Sequence, residues 1–272
     1  MKTFYYTDEL HDDFAGTDIN TQKIRGDYQY LSTNPVRKAF AWFLHHIIAT
    51  PLVFLYNQIG HGERIVGREK LKPYRKTGYF LYGNHTRSAG DSYEPSLLSF
   101  PRKAYIIAGP DAVSIPGVRR IVQDLGVIPL PSDTASARHF HDALQELSGR
   151  DFPIAIFPEA HIWPYYTKIR PFPDGSFRYP AEFGKPVFTF TCTYQKRGFL
   201  PLQRATIYVD GPFFPDPTKN VRENRKMLRD AAYEAMVRRS KESTFVRYGY
   251  EKAEDSSGPR VEKTARRVRK GA

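Results

Sequence analysis

Six short runs rich in β-branched and aromatic residues constrain this chain more than any other feature: GYFLYG (78–83), KAYIIA (103–108), GVIPL (126–130), PIAIFP (153–158), PVFTFTCTY (186–194) and ATIYVD (205–210). Each has strand length. Helix-like segments lie between some of them, as in ASARHFHDALQELSG (135–149), where Phe140, Leu144 and Leu147 recur at helical spacing. That alternation predicts an α/β domain with a largely parallel central sheet flanked by helices. At 272 residues the chain can bury the core of one large domain. A last helix fits 220–242, with Met227, Ala231 and Ala235 on one face.

Ahead of the strands stands AFAWFLHHIIATPLVFLYN (39–57), preceded by Arg37 and Lys38. It is nearly long enough to cross a bilayer, which takes about 20 apolar residues. Two adjacent histidines and Pro51 interrupt it and argue against a crossing helix. A buried core helix kinked at Pro51 and a helical hairpin or interfacial segment with its aromatic face among headgroups fit its composition equally. The expected organisation is a polar segment over 1–35, the helical segment over 36–60, the α/β domain over 61–250 and a disordered basic tail over 251–272.

A net charge of +12 and a pI near 9.6 indicate an anionic partner: nucleic acid, an anionic membrane face or a phosphorylated substrate. The single cysteine, Cys192, excludes an internal disulfide and fits a reduced cytosol. Placed in a strand, it reads as a buried, inert thiol. The polar, acidic opening lacks the pattern of a secretory signal and predicts no export. No Walker A loop, Rossmann fingerprint, paired CxxC or GxSxG elbow is present.

Two polar stretches could carry chemistry. In GNHTRSAGD (83–91), His85 follows a strand and Asp91 stands near the start of a helix, with Gly90 allowing a sharp turn. The two side chains could meet at the carboxyl ends of the strands, where open α/β sheets place ligands. A carboxylate on one imidazole nitrogen fixes the tautomer and frees the other nitrogen to take a hydroxyl proton. The plain alternative is a turn and helix cap in which Asn84, His85 and Asp91 satisfy backbone groups. In FPEAHIWPYYTKIRPF (157–172), Pro158 and Glu159 end a strand, and Lys168 and Arg170 follow as candidate ligands of a polar or phosphorylated substrate. Its plain reading is a surface loop with Trp163 and Tyr165 folded onto the core. His139 and His141 point apart on a helix and read as surface residues.

In order and spacing, GNHTRSAGD, IPGVRRIVQDLGVIPL, FPEA, RPFPDGSFRYPAEFGKPVFTFT and IYVDGPF resemble the glycerolipid acyltransferases related to 1-acyl-glycerol-3-phosphate acyltransferase, from about residue 64 to 215. The resemblance implies a membrane-associated enzyme at the cytoplasmic face, with an N-terminal membrane-associated helical segment. His85 would be the general base and Asp91 its orienting carboxylate. The acceptor hydroxyl would attack acyl-CoA or acyl-carrier protein directly, without a covalent enzyme intermediate, metal or other cofactor. Asn84 and Arg87 beside the dyad, and Pro158, Glu159, Lys168 and Arg170, would bind substrate. The expected partners are anionic membrane lipid, the acyl thioester and a lysophospholipid or glycerol-phosphate-type acceptor, with no nucleic acid.

The chain departs from the family pattern at three places. Five residues rather than four separate His85 from Asp91, leaving Glu94 as an alternative partner. Ser132 stands where the second block commonly has arginine, and Glu159, Ala160, His161 and Ile162 replace the usual Glu-Gly-Thr-Arg. Arg87, Arg120, Lys168 or Arg170 could supply the missing cations, since placement of charge decides phosphate binding. Two other classes fit the composition: a non-catalytic basic adaptor, and a metal hydrolase built on His85, Asp91, Glu159 and His161.

Overall fold

A computed structural model describes residues 1–14, 21–87, 90–115, 117–198, 203–253 and, as backbone alone, 260–263. The strands are β1 (Lys2–Tyr6), β2 (Arg64–Val66), β3 (Phe80–Gly83), β4 (Tyr105–Ala108), β5 (Val127–Pro129), β6 (Ile154–Ile156), β7 (Val187–Lys196), β8 (Gln203–Phe213), β9 (Tyr248–Lys252) and β10 (Arg260–Lys263). Seven form the main sheet in the order β2-β8-β7-β3-β6-β4-β5. Its pairings are parallel except β7 with β8. All six expected strands are present. β2 was not expected, because three residues are too few to show a period.

Alternation along β3 divides the core. Phe80 and Tyr82 pack with Phe140, Leu144 and Leu147 of α5 (Thr134–Gly149) and with Leu228, Ala232 and Met236 of α7 (Val221–Ser240). Leu81 packs on the other side with Phe188, Phe190, Tyr194 and Leu98. β3 is therefore buried on both faces, which is why its sequence reads as a continuous apolar run. In α7 the buried face is Leu228, Ala232, Ala235 and Met236. The expected Met227 and Ala231 sit one position off it, since cations cover much of the helix and weaken its periodicity.

The apolar segment forms one helix of 27 residues, Pro35–His61, long and apolar enough to cross a membrane by length and composition. Asn34 caps it by accepting from the amides of Val36 and Arg37, and Pro35 takes the first turn. Within it, α1 (Pro35–Phe43) and α2 (Thr50–Tyr56) are each followed by a π-helical stretch, Leu44–Ala49 and Asn57–His61. The first stretch precedes Pro51, where an amide is missing, and the Thr50 hydroxyl donates to the His45 carbonyl at 2.7 Å. Its buried residues, His45, Thr50, Asn57 and His61, are all polar, while Phe40, Trp42, Phe43, Ile47, Leu52, Phe54, Leu55 and Ile59 face outward. Neither a plain core helix nor an ordinary surface helix has this inside-out pattern.

The polar segment over 1–35 is built into the molecule through its first strand. β1 lies between β9, parallel, and β10, antiparallel. Phe4 and Phe14 pack around Tyr250 and Trp163, and the Trp163 indole donates to the Asp12 carbonyl at 2.8 Å. Its aromatic residues, overlooked among the acids, provide that anchorage. The Ile24 amide donates to the Ser132 hydroxyl at 2.9 Å and the Ser132 amide donates to the Ile24 carbonyl at 3.0 Å, so this segment covers the sheet edge beyond β5. Residues 251–253 and 260–263 are likewise structured. The rest of the tail expected to be disordered, 254–259 and 264–272, lies outside the described residues.

Candidate active site

β3 and β6 are parallel neighbours, so the residues after them, His85 and Glu159, emerge at the same end of the sheet. Asp91 opens a single 3-10 turn, Asp91–Tyr93, that leads into α3 (Glu94–Ser99). His85 Nδ1 donates to Asp91 Oδ2 at 3.0 Å, and the same oxygen accepts the amides of Thr86 and Arg87 at 2.9 and 3.2 Å. The five-residue spacing therefore closes. Gly90 permits it at φ +86°, in a position where a Cβ would stand 2.9 Å from Asn57 Oδ1.

Burial alone would raise the Asp91 carboxyl, but the His85 hydrogen bond and the Arg87 charge hold it below the ordinary range. Asp91 is thus an ionised acceptor that orients the ring through Nδ1. The His85 ring lies over Phe157 at 4.4 Å, and its side chain is 16% exposed. One apolar face and one open edge suit a base that must reach a substrate.

Glu94 is not the partner of His85. Its Oε2 accepts from Arg87 at 2.9 Å and from Asn57 at 3.2 Å. Arg87 also donates to Glu63 at 2.8 Å and stands 3.8 Å from Asp91. Three buried carboxyl groups thus surround one buried guanidinium. Burial and the charge of Glu63 push the Glu94 carboxyl well above its usual range.

Several of the expected substrate ligands make contacts within the protein. Arg87 spends its charge inside the protein. Arg170 is buried beside Glu159 at 3.6 Å and donates to the carbonyls of Glu9 and His161, so it too is closed to a phosphate. Asn84 exchanges two hydrogen bonds with the backbone of Cys192 and fastens the end of β3 to β7. Glu159 accepts the amides of His85 and Arg170 at 3.3 and 2.9 Å, fixing the backbone at His85. Arg120 lines a cavity with residues of the 22–29 segment instead. Ser132 holds Ile24. Pro158 is half-buried at the end of β6, and Lys168 is exposed.

Arg247 was missed. It is exposed, with its guanidinium 4.6 Å over the ring of Tyr165, whose amide donates to the carbonyl of Thr86 beside the base. Its segment, TFVRYGY, carries no motif, and only the fold brings it near.

The acyltransferase family profile matches residues 64–193. The crystal structure of the 1-acyl-sn-glycerophosphate (LPA) acyltransferase PlsC from Thermotoga maritima shares the fold, with a TM-score of 0.50 and 16% identity over 73% of this chain and 85% of that one. No curated protein sequence gives a match.

Proposed function

Through residues 64–193 this chain belongs to the acyltransferase family, and we propose that it moves a fatty acyl group from acyl-CoA or acyl-carrier protein to a hydroxyl of a lysophospholipid or glycerol-phosphate-type acceptor. The observation that carries the mechanism is the bond from His85 Nδ1 to the ionised Asp91. Nε2 takes the acceptor's hydroxyl proton as the oxygen bonds to the thioester carbonyl carbon. When the intermediate collapses, the carbon–sulfur bond breaks and the thiolate leaves with the proton held on Nε2. Direct transfer suits the surroundings. The Thr86 hydroxyl is bonded to Tyr194 at 2.8 Å, and burial pushes the Cys192 thiol up to about 12.

The acceptor class follows the named activity of the Thermotoga maritima enzyme, whose fold this chain shares. With Arg87 and Arg170 paired internally, Lys168 and Arg247 are the cations we assign to the acceptor phosphate.

The Pro35–His61 helix lies in the membrane surface and does not cross it. His45 and Thr50 meet Tyr93, His46 meets the Pro101 carbonyl, and Asn57 meets Glu94, so the domain occupies one side of the helix along most of its length. Its outward apolar face enters the headgroup boundary. A basic protein held in this way suits the anionic cytoplasmic leaflet, at about 1 kcal/mol per cation near the surface.

Purified protein incubated with acyl-CoA or acyl-carrier protein and a panel of lysophospholipids, glycerol 3-phosphate and non-phosphorylated alcohols, read by mass spectrometry, tests the reading. An acyl ester of a phosphorylated acceptor is expected, and no acyl product from any pair would sink it. His85→Ala should lower turnover by about 10²- to 10⁴-fold with an unchanged melting temperature. Asp91→Asn should approach that loss by disturbing the tautomer. A larger loss from Glu94→Gln than from Asp91→Asn would reassign the orienting group.

A further inference from the structure

Two adjoining cavities, of about 410 and 340 Å³, open beside the first half of the Pro35–His61 helix. Both are of a size that holds small ligands. Arg37 and Gln123 line both. The larger adds Lys23, Arg25, Arg119 and Arg120, and the smaller adds Lys38, Arg102, Lys103 and Arg150. Against these nine cations the walls hold two carboxylates, Asp27 and Asp124.

Internal pairing takes Arg150, which meets Glu146 at 3.0 Å, but leaves several of the other cations unspent. Asp124 is taken by Arg37 at 2.8 Å. Lys103 donates to the Asp124 carbonyl at 2.7 Å, Arg102 to the Arg150 carbonyl at 2.8 Å and Arg119 to the Gln22 side chain at 3.3 Å, all neutral acceptors. Arg102 Nε is buried without a partner among the described residues. Burial holds Lys103 down to about 8, so an arriving anion would strengthen its charge.

The position of the cavities separates them from acyl transfer. Tyr105 opens β4 and Phe152 precedes β6, so the smaller cavity lies at the amino end of the parallel strands, opposite His85 and Glu159. Part of its wall is the lipid-facing helix itself, through Arg37, Lys38, Ala41, Trp42 and His46. From there the helix runs to Asn57, at the catalytic end of the sheet. A bilayer surface along the helix therefore meets the basic cavities at one end and the His85 loop at the other.

We propose that the paired cavities form a headgroup site for an anionic membrane phospholipid, distinct from the acyl acceptor, that fixes the enzyme's orientation on the bilayer. This rests on the reading of the helix as interfacial. The phosphate and its neighbouring groups meet the guanidinium and ammonium side chains, and the acyl chains run past Trp42 and Phe43, both half exposed.

The test compares binding of the full chain to vesicles of phosphatidylcholine alone and of phosphatidylcholine with phosphatidylglycerol, by co-sedimentation. Turnover of a short-chain acyl-CoA on a monomeric lysophospholipid is measured in parallel. The variant Lys23→Gln/Arg25→Gln/Lys38→Gln/Arg119→Gln changes only exposed side chains. It should bind phosphatidylglycerol vesicles at least tenfold more weakly, with neutral-vesicle binding and turnover unchanged. Undiminished binding to phosphatidylglycerol vesicles overturns the proposal. So does a raised KM for acyl-CoA with unchanged vesicle binding, which would give the cavities to the donor. Full displacement of the wild type by glycerol 3-phosphate at constant ionic strength would make them a free-phosphate site. A wild type that binds neither vesicle overturns the interfacial reading and this site together. Absent acyl transfer with the expected vesicle pattern strikes the enzyme reading alone and supports the site.

Discussion

Ala160 holds φ +63°, a conformation that costs an L-residue about 1–2 kcal/mol, and its side chain is exposed, so no packing offsets the strain. The family pattern that this stretch resembles has glycine there, the residue that suits this backbone shape. Ala160→Gly should stabilise the protein by about 1 kcal/mol with turnover intact, as measured by urea unfolding. Glu94 gives a second residue-scale test. Its raised carboxyl keeps a proton in the folded chain at a pH where the unfolded chain has lost it, so the folded state binds more protons. Stability therefore falls as pH rises from the ordinary carboxylate value through the raised one, by at most about 1.4 kcal/mol per pH unit. Urea unfolding over roughly pH 5 to 8 should show that decline in the wild type and a flatter profile in Glu94→Gln. At this scale the dyad was legible, because a histidine after a strand and an aspartate before a helix are placed by local structure. The fates of Arg87 and Arg170 were not legible. A sequence shows a cation but not the carboxylates that long-range folding brings to it.

Among the elements, legibility followed the strength of the pattern. The six strands were readable because burial on both faces demands long apolar runs. In the Pro35–His61 helix, composition fitted core and interface equally, and only its contacts decide which face is which. Those contacts make a direct prediction. Leu52 and Ile59 are more than half exposed, at 62% and 68%, so Leu52→Asp/Ile59→Asp should leave the melting temperature within about 2 °C of the wild type. The same change should abolish binding to neutral vesicles, because a charge on that face must be held in the headgroup boundary. A large fall in melting temperature would mean that the outward face is packed within the protein.

The whole molecule is closed at its two ends by one small aromatic assembly. Phe4 stacks on Tyr250 at 4.9 Å, and Tyr250 on Trp163 at 5.1 Å. The segment carrying Trp163 also holds the His85 loop, through the Trp163 amide and the His85 carbonyl. Phe4→Ala should cost about 3 kcal/mol in urea unfolding and alter the fluorescence of Trp163. The two π-helical stretches act over a similar span. At about 100° per residue, an uninterrupted α-helix would turn His61 about 160° away from His45, and Asn57 about 120°. The wider turns absorb that rotation, so a single polar stripe can follow the domain from one end of the sheet to the other. The helix is in this respect a phase-matched coupling. Tightening 44–49 into regular α-helix without removing a residue would improve its local regularity yet turn everything downstream by about a quarter-turn. Asn57 would leave Glu94 and the His85 loop, and a polar edge would swing away from the domain.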